Sequence, residues 1–471
     1  MSGDLALELA AIVGPRWVRS RRAELAVFRA DGLPTHEATP RLAVLPSSRA
    51  EVVAVVRHLH RCGVPFVARG AGTGLSGGAL AAEDAVLVVL TRLNRVLRID
   101  RENRRAVVEP GVVNAKLGDA AARAGLQYAP DPSSQTACTV GGNVAENAGG
   151  PHCLKYGVTT NHVTALEVAL PDGSVVRLGS PQGEPWGPDL VGLFVGSEGM
   201  FGVALEITLR LVPLPAEVRT LLAAFSSIRA ASEAVSGIIA SGVVPAALEM
   251  MDGPCVRAVE NSIYAAGYPT DAAAVLLVEV DGRPEAVAAE ESVVTAILRR
   301  SGATEIRHAT TPAERARLWQ GRKKAFGAMG RVAPDLIVQD AVVPRSTLPD
   351  VLDRIADIAA AHRVRVVNVF HAGDGNLHPN ICFDRQDADL AARVRAASRA
   401  IMEVCVAAGG SITGEHGVGT DKIDYMPLIF DQATLAAMCD VRRVFDPGDR
   451  ANPGKVIPVR SCREWRAGGV G

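Results

Sequence analysis

Residues 64–78 read Val-Pro-Phe-Val-Ala-Arg-Gly-Ala-Gly-Thr-Gly-Leu-Ser-Gly-Gly, a short apolar run that breaks into a chain of glycines. The run at 64–68 predicts a strand, and Gly72, Gly74 and Gly77 literally satisfy GxGxxG, which invites a dinucleotide-binding βαβ reading. Context argues against it. That fingerprint needs a helix to open directly after the loop so that its amino terminus meets the pyrophosphate. Here residues 77–84 are few and lead straight into a second apolar run at 86–90. The remaining uses are a nest of backbone N–H groups that can cradle phosphate, with Arg69 nearby for charge, or a tight structural turn. No GxxxxGK[ST] occurs, which excludes a P-loop.

Working outward, residues 41–46 predict a strand. Ser48 and Glu51 then form a capping box ahead of Val52, Val55, Val56 and Leu59 at helical spacing, and Gly63 and Pro65 stop that helix. Residues 106–109 predict a strand, 113–124 a helix, 131–150 a second loop rich in Gly, Asn and Ser, and 164–170 and 203–212 strands. Pro213 and Pro215 mark a domain boundary, because beyond them strands (221–225, 247–251, 275–280, 305–308) alternate with amphipathic helices (227–240, 285–300, 312–329). A single sheet covered by helices fits. A further strand at 364–370 runs into a polar turn at 371–378, a helix spans 391–408, and a Pro/Gly-rich segment at 444–458 closes the chain. The expected class is α+β. Its expected parts are a helical extension (1–39), a first domain (40–218), a second (219–424) and a C-terminal segment returning to the first (425–471).

The chain has 471 residues and 49.3 kDa, beyond what one core usually serves. Lys plus Arg total 50 against 51 Asp plus Glu, so no charge excess draws it to nucleic acid or an anionic membrane. Eight cysteines are scattered without CxxC spacing, indicating neither a disulfide framework nor a thiolate cluster, and a reducing compartment is expected. Asp4 and Glu8 interrupt the apolar stretch a secretory signal would need, so the amino terminus reads as an ordinary helix. The longest uncharged stretch, 234–248, is short of the ~18 residues of a membrane span and contains Gly and Pro.

Three segments, VPFVARGAGTGLSGGAL, DPSSQTACTVGGNVAENAGG and LFVGSEGMFGVALEITLRL, together resemble the FAD-binding domain of the vanillyl-alcohol oxidase and p-cresol methylhydroxylase superfamily. More narrowly, the chain from about 40 to 458 resembles its FAD-linked 2-hydroxy acid dehydrogenases, which include D-lactate dehydrogenase and the flavoprotein subunit of bacterial glycolate oxidase. The resemblance implies a p-cresol-methylhydroxylase-type FAD domain with an α/β cap domain. It implies FAD contacts from Arg69, Gly70, Ala71, Gly72, Thr73, Gly74, Ser76, Gly77 and Gly78 on the diphosphate. Pro130, Asp131, Ser133, Ser134, Thr139, Gly141, Gly142, Asn143 and Asn147 would lie along the ribityl and ring portions, with Ile207 on the adenine side and Asn452 returning from the tail. Relatives with covalent flavin use a His or Cys in these regions. The first loop has neither and Cys138 reads as packing, so noncovalent FAD is expected.

A third constellation is His371-Ala-Gly-Asp-Gly-Asn-Leu-His378-Pro-Asn380, with Glu415-His416 further on. A strand ending in a glycine turn can fold two histidines toward one point, and a carboxylate beside a third imidazole completes a donor set for zinc, manganese or iron. Hydrogen-bonded histidines and a GDGN turn without function are the other reading. The resemblance implies that His371, His378 and Glu415 hold the metal and that His416 is the base beside the substrate. It also implies that Arg322 anchors a carboxylate through its planar fork, with Asn380 a further substrate contact. Charge pattern alone equally allows a solvated face at Arg322-Lys-Lys324.

The 2-hydroxyglutarate enzymes carry a lysine two residues before the aspartate that matches Asp340, where this chain has Val338. A monocarboxylate is therefore expected, glycolate first and D-lactate second. Without a cysteine cluster for iron and sulfur, reoxidation calls for partner subunits binding FAD or iron-sulfur centres, or for a cytochrome or quinone acceptor. Operation in the cytoplasm, peripheral to the inner membrane through such partners, is the matching expectation. Two other classes stay open: a metal-dependent hydrolase whose glycine loops bind a nucleotide, and a flavin-binding subunit without its own catalysis.

Overall fold

The computed structural model describes residues 2–33, 35–183 and 187–458. They fall into two compact units, the first drawn from Met1–Gly149, Val158–Leu214 and Glu415–Gly471, the second from Gly150–Gly157 and Pro215–Gly414.

Among the described residues the first unit contains two main sheets. One has four strands, β1 (Val18–Arg19), β2 (Leu42–Val44), β3 (Phe66–Arg69) and β4 (Val86–Val89), in the order β1-β2-β4-β3. Both β2 and β3 run parallel to β4. The helix Arg49–Arg61 connects β2 to β3 and buries Val52, Val55, Val56 and Leu59. No helix separates β3 from β4 among the described residues, which is why the glycine loop is not a dinucleotide fingerprint. Ser48 caps that helix through the Glu51 N–H, while the Glu51 carboxylate turns to Ser47 instead of closing the expected box. The amino-terminal stretch is more than helical, since Ser2–Val13 is followed by β1, which pairs with β2.

The other sheet joins β5 (Val96–Asp100), β6 (Arg105–Val108), β8 (Val163–Ala169), β9 (Val175–Gly179) and β10 (Val203–Arg210) in the antiparallel order β5-β6-β10-β8-β9. Between β6 and β8, β7 (Leu126–Gln127) pairs with β11 (Val212–Pro213). The second glycine region is not a plain loop: Val140–Glu146 is a helix capped by Thr139, whose side chain accepts from the Gly142 N–H. Two glycines inside a seven-residue helix carry a propensity cost of about 1 kcal/mol each, so composition alone reads as loop. Gly141 is required by packing, since a Cβ there would stand 2.6 Å from Pro110 Cβ.

The second unit is built on the single sheet expected. β12 (Glu217–Phe225), β13 (Ala247–Asp252), β14 (Ala274–Gly282), β15 (Glu305–His308), β17 (Ala341–Val342), β18 (Arg365–His371) and β19 (Asn376–Leu377) lie in the order β15-β12-β14-β13-β18-β19-β17. β16 (Asp335–Val338) and β20 (Pro379–Phe383) extend it from β18. Leu222, Ala224, Val275, Leu277, Val367 and Val369 share one core with side chains of the helices Gly253–Glu260, Pro312–Lys323 and Ala325–Met329. Among the described residues, cysteines 62, 138, 153, 255, 382 and 405 are free thiols.

Candidate active site

In the first unit the glycine loop has an accessible lip, residues 70–74, and a buried base, residues 76–78. Gly72 and Gly77 adopt φ of +70° and +80°, where a Cβ is strained. A Cβ on Gly77 would stand 2.3 Å from Thr420 Oγ1, and one on Gly70 would stand 2.2 Å from Thr139 Oγ1. The two loops therefore touch, and at Gly74 a Cβ would meet nothing within 4 Å. Arg69 does not present the free charge that its position suggested. Buried, it donates to the carbonyls of Phe28, Ala30 and Ala79 at 3.4, 2.8 and 3.3 Å and so braces the loop from within. Asn452 acts similarly, its Nδ2 donating to Gly78 O and Glu198 O at 2.9 and 2.5 Å.

Around these loops, Ser76 Oγ, Ser197 Oγ, Thr420 Oγ1 and Asn452 Oδ1 are buried without a protein hydrogen-bond partner. Each such atom costs about 1–3 kcal/mol if it stays unpaired, so a cradle without side chains beside them fits a polar ligand such as the FAD diphosphate. Thr73 and Ala71 lie on the lip, and Asp131, Ser133, Ser134 and Gly142 are half-buried. Asn143 is buried, and Pro130 O accepts from Asn114 Nδ2. Asn147 ends its helix at φ +52° and accepts from the Thr160 N–H. Ile207 is a fully buried core residue of β10. Burial pushes the Cys138 thiol pKa up, consistent with packing.

Two carboxylates here received no role from the sequence. Glu198 sits in the turn of the GSEG segment at φ +49° and accepts from the N–H groups of Val418 and Gly419 at 2.7 and 2.8 Å. Glu146 meets it: a Cβ on Gly417 would stand 2.6 Å from an oxygen of each. Burial pushes both carboxyls up, Glu198 to about 7 despite its backbone donors, and the neighbouring Glu198 charge raises Glu146 further.

In the second unit a polar cluster lies within the apolar sheet. Glu249 on β13 is in register with His371 on β18, so the two side chains share a face, and His371 Nδ1 lies 2.8 Å from Glu249 Oε1. From the helix Pro312–Lys323, the buried Arg322 brings its guanidinium within 2.6 Å of Glu249 Oε2. Nη2 is held in that ion pair, while Nε and Nη1 are buried without a hydrogen-bond partner in the protein. Burial would raise the Glu249 carboxyl, but Arg322 and His371 more than reverse this and hold it below the ordinary range. His378, across the β18–β19 turn, has its ring centroid 5.3 Å from that of His371 and its Nε2 3.5 Å from Asp340 Oδ1. Asp340 also accepts from Thr413 Oγ1 and the Gly414 N–H at 2.7 and 2.9 Å. Asn380 is fully buried and its Nδ2 is spent on Val367 O and His378 O.

The structure thus brings Arg322, His371, His378 and Asn380 into one unit, adding Glu249, which sequence reasoning missed, and Asp340. An acidic residue inside an apolar strand, in Ala-Leu-Glu-Met-Met, was the available signal for Glu249. Glu415 and His416 open the last segment of the first unit, and Glu415 directly follows Gly414, which Asp340 holds.

Residues 40–179 match the family of FAD binding domains and residues 214–456 that of FAD linked oxidases, C-terminal domain. The chain belongs to the FAD-linked oxidases and is a flavin-dependent oxidoreductase, which removes the hydrolase reading. Glycolate oxidase subunit GlcD of Escherichia coli (strain K12) is 48% identical over 445 residues, covering 94% of this chain and 89% of that one. D-lactate dehydrogenase of Anaerostipes hadrus is 34% identical over 429 residues, covering 89% and 90%. Crystalline p-cresol methylhydroxylase with substrate bound shares the fold, with a TM-score of 0.82 over 98% of this chain and 96% of that one at 18% identity. No helix among the described residues is long and apolar enough to cross a membrane.

Proposed function

We propose that this chain oxidises a small 2-hydroxy monocarboxylate, glycolate to glyoxylate in the first place. The observation that carries the reading is Arg322, a buried guanidinium that pairs with Glu249 through Nη2 and keeps Nε and Nη1 without a protein partner beside the His371–Glu249 pair. Its planar fork pairs a substrate carboxylate, and its place on a packed helix fixes where that carboxylate lies. The buried Val338 leaves an apolar side chain where a second carboxylate would need a cation. The similarity to a glycolate oxidase subunit favours glycolate, and that to a D-lactate dehydrogenase makes D-lactate to pyruvate the second reading.

Noncovalent FAD, held by the glycine loops, supplies the acceptor for the hydride that leaves C2. His416 takes the hydroxyl proton at a ring nitrogen, so the substrate gives up two electrons and two hydrogens in all. His371, His378 and Glu415 would hold a zinc, manganese or iron ion whose Lewis acidity makes that hydroxyl more acidic. Two features support this set. Glu249 holds His371 through Nδ1, so Nε2 is the nitrogen that would ligate an ion, the arrangement of carboxylate–histidine–metal sites. Asp340 anchors Gly414, the residue covalently ahead of Glu415. Asn380 serves as a further substrate contact through its remaining Oδ1. Electrons then pass to a partner subunit carrying FAD or iron-sulfur centres, or to a cytochrome or quinone. The enzyme would work in the cytoplasm, at the inner membrane through such partners.

The test is the visible spectrum of the purified protein under anaerobic conditions, before and after glycolate. Flavin bands that bleach with glycolate are expected. Bands that bleach only with D-lactate establish the second reading, and bands that persist with both overturn the proposal. In parallel, His378→Ala should abolish turnover yet leave FAD bound; retained turnover removes the metal from the reading.

A further inference from the structure

One cluster of ligand-type side chains takes no part in the chemistry above. Glu8 lies on the helix Ser2–Val13, and His58 and Cys62 are one turn apart on and just after the helix Arg49–Arg61. Both helices are fixed in one core, where Leu5, Leu9 and Val13 join Val52, Val55, Val56 and Leu59. Packing therefore fixes the two helices that carry the cluster, on whose surface Glu8 and Cys62 are exposed and His58 is half-buried.

Glu8 Oε2 lies 3.0 Å from His58 Nε2, and Cys62 Sγ lies 3.6 Å from that same nitrogen. A carboxylate oxygen, an imidazole nitrogen and a sulfur all fall within 4.8 Å of one another. Hydrogen bonding within the cluster serves one pair at a time, and solvent completes the exposed Glu8 and Cys62. If Nε2 carries a proton it has one to donate, to the carboxylate or to the sulfur; if it does not, it can accept from the thiol but then faces carboxylate lone pairs. A cation between them engages all three at once, because each atom then offers its lone pair inward. Around a tetrahedral ion with bonds of about 2.0–2.3 Å, ligand atoms stand roughly 3.3–3.8 Å apart; the sulfur–nitrogen contact at 3.6 Å falls in that range, and the carboxylate–nitrogen contact at 3.0 Å would open by a few tenths of an ångström on binding. A mixed sulfur, nitrogen and oxygen set suits zinc and not magnesium or calcium, which take oxygen ligands.

We propose that Glu8, His58 and Cys62 form a second metal site, taking zinc or a similar divalent transition ion with water in the remaining position. On binding, the Cys62 S–H bond breaks, the proton leaves to solvent and a sulfur–metal bond forms, with no change of oxidation state. The ion cross-links the amino-terminal helix to the helix Arg49–Arg61 and shields an otherwise exposed thiol.

The experiment reads Cys62 itself and so is independent of the His371 and His378 pair. Chelator-treated holoenzyme is labelled with iodoacetamide at increasing zinc, and labelling of each cysteine is followed by peptide mass spectrometry. Zinc should slow labelling of Cys62 at least about tenfold while leaving Cys153 unchanged, and His58→Ala should remove the protection. An unchanged Cys62 rate, or equal protection in His58→Ala, overturns the proposal. As a second measure, zinc counted by competition with a chromophoric chelator should fall by one ion per chain in Cys62→Ser, and an equal count overturns it as well.

Discussion

Removing Glu249 should damage the second unit more than any other single change in its site. Glu249 and Arg322 are 0% and 1% exposed at their side chains and stand 2.6 Å apart, so Glu249→Ala strands a buried cation and also removes the acceptor on His371 Nδ1. Breaking a buried pair from one side costs about 3–5 kcal/mol, because the remaining charge stays desolvated. For a unit of roughly 200 residues each kcal/mol lowers Tm by about 2–4 °C, so a fall of about 6–20 °C is expected for the transition of that unit. The assay is differential scanning calorimetry of Glu249→Ala, Arg322→Met and the double variant Glu249→Leu/Arg322→Met. The double variant replaces both charges with apolar groups and should recover most of the loss, a coupling of the kind seen between residues in direct contact. It should be stable and inactive, which separates the fold from the substrate anchor. A Tm for Glu249→Ala within about 2 °C of the parent, or a double variant whose loss equals the sum of the singles, would refute the reasoning.

Three further outcomes follow from the same physics. Glu198, raised by burial to about 7 from an ordinary 4.5, contributes stability that is fully present below about pH 4.5 and lost as pH rises through about 7; Glu198→Gln should flatten urea midpoints across that window. Glu279 runs the other way, since His152 and Arg315 outweigh its burial and hold its carboxyl far below 4.5. Its stability is present above that pH and lost as acid protonates it, so Glu279→Gln should lower the midpoint at pH 7 and shrink the acid dependence, read by the same titration. Gly77→Ala places a Cβ 2.3 Å from Thr420 Oγ1 at φ +80° and should weaken FAD retention on a desalting column, and retention equal to the parent's would count against the loop as the flavin cradle.

Much of this molecule was legible in its sequence because glycine placement and apolar periodicity report on backbone geometry. The strand–glycine loop–strand order at 66–89 ruled out a dinucleotide fingerprint, and it stands as read. The helix Val140–Glu146 was hidden because Gly141 and Gly142 lower local propensity while Pro110 demands the first of them, a tertiary requirement that no local window contains. Arg69 read as a charge for a ligand because an arginine beside a glycine loop looks available; only the fold brings the carbonyls of Phe28 and Ala30 to it. The same limit explains the site. His371 and His378 were visible because one turn joins them, but Glu249 lies 122 residues from His371 along the chain and reaches it through strand register alone. A single polar residue in a buried strand is costly unless its cross-strand neighbours are polar too. Glu249, Arg322 and His371 form one polar cluster in which each member makes the others tolerable, so a change at one position should be read through the other two.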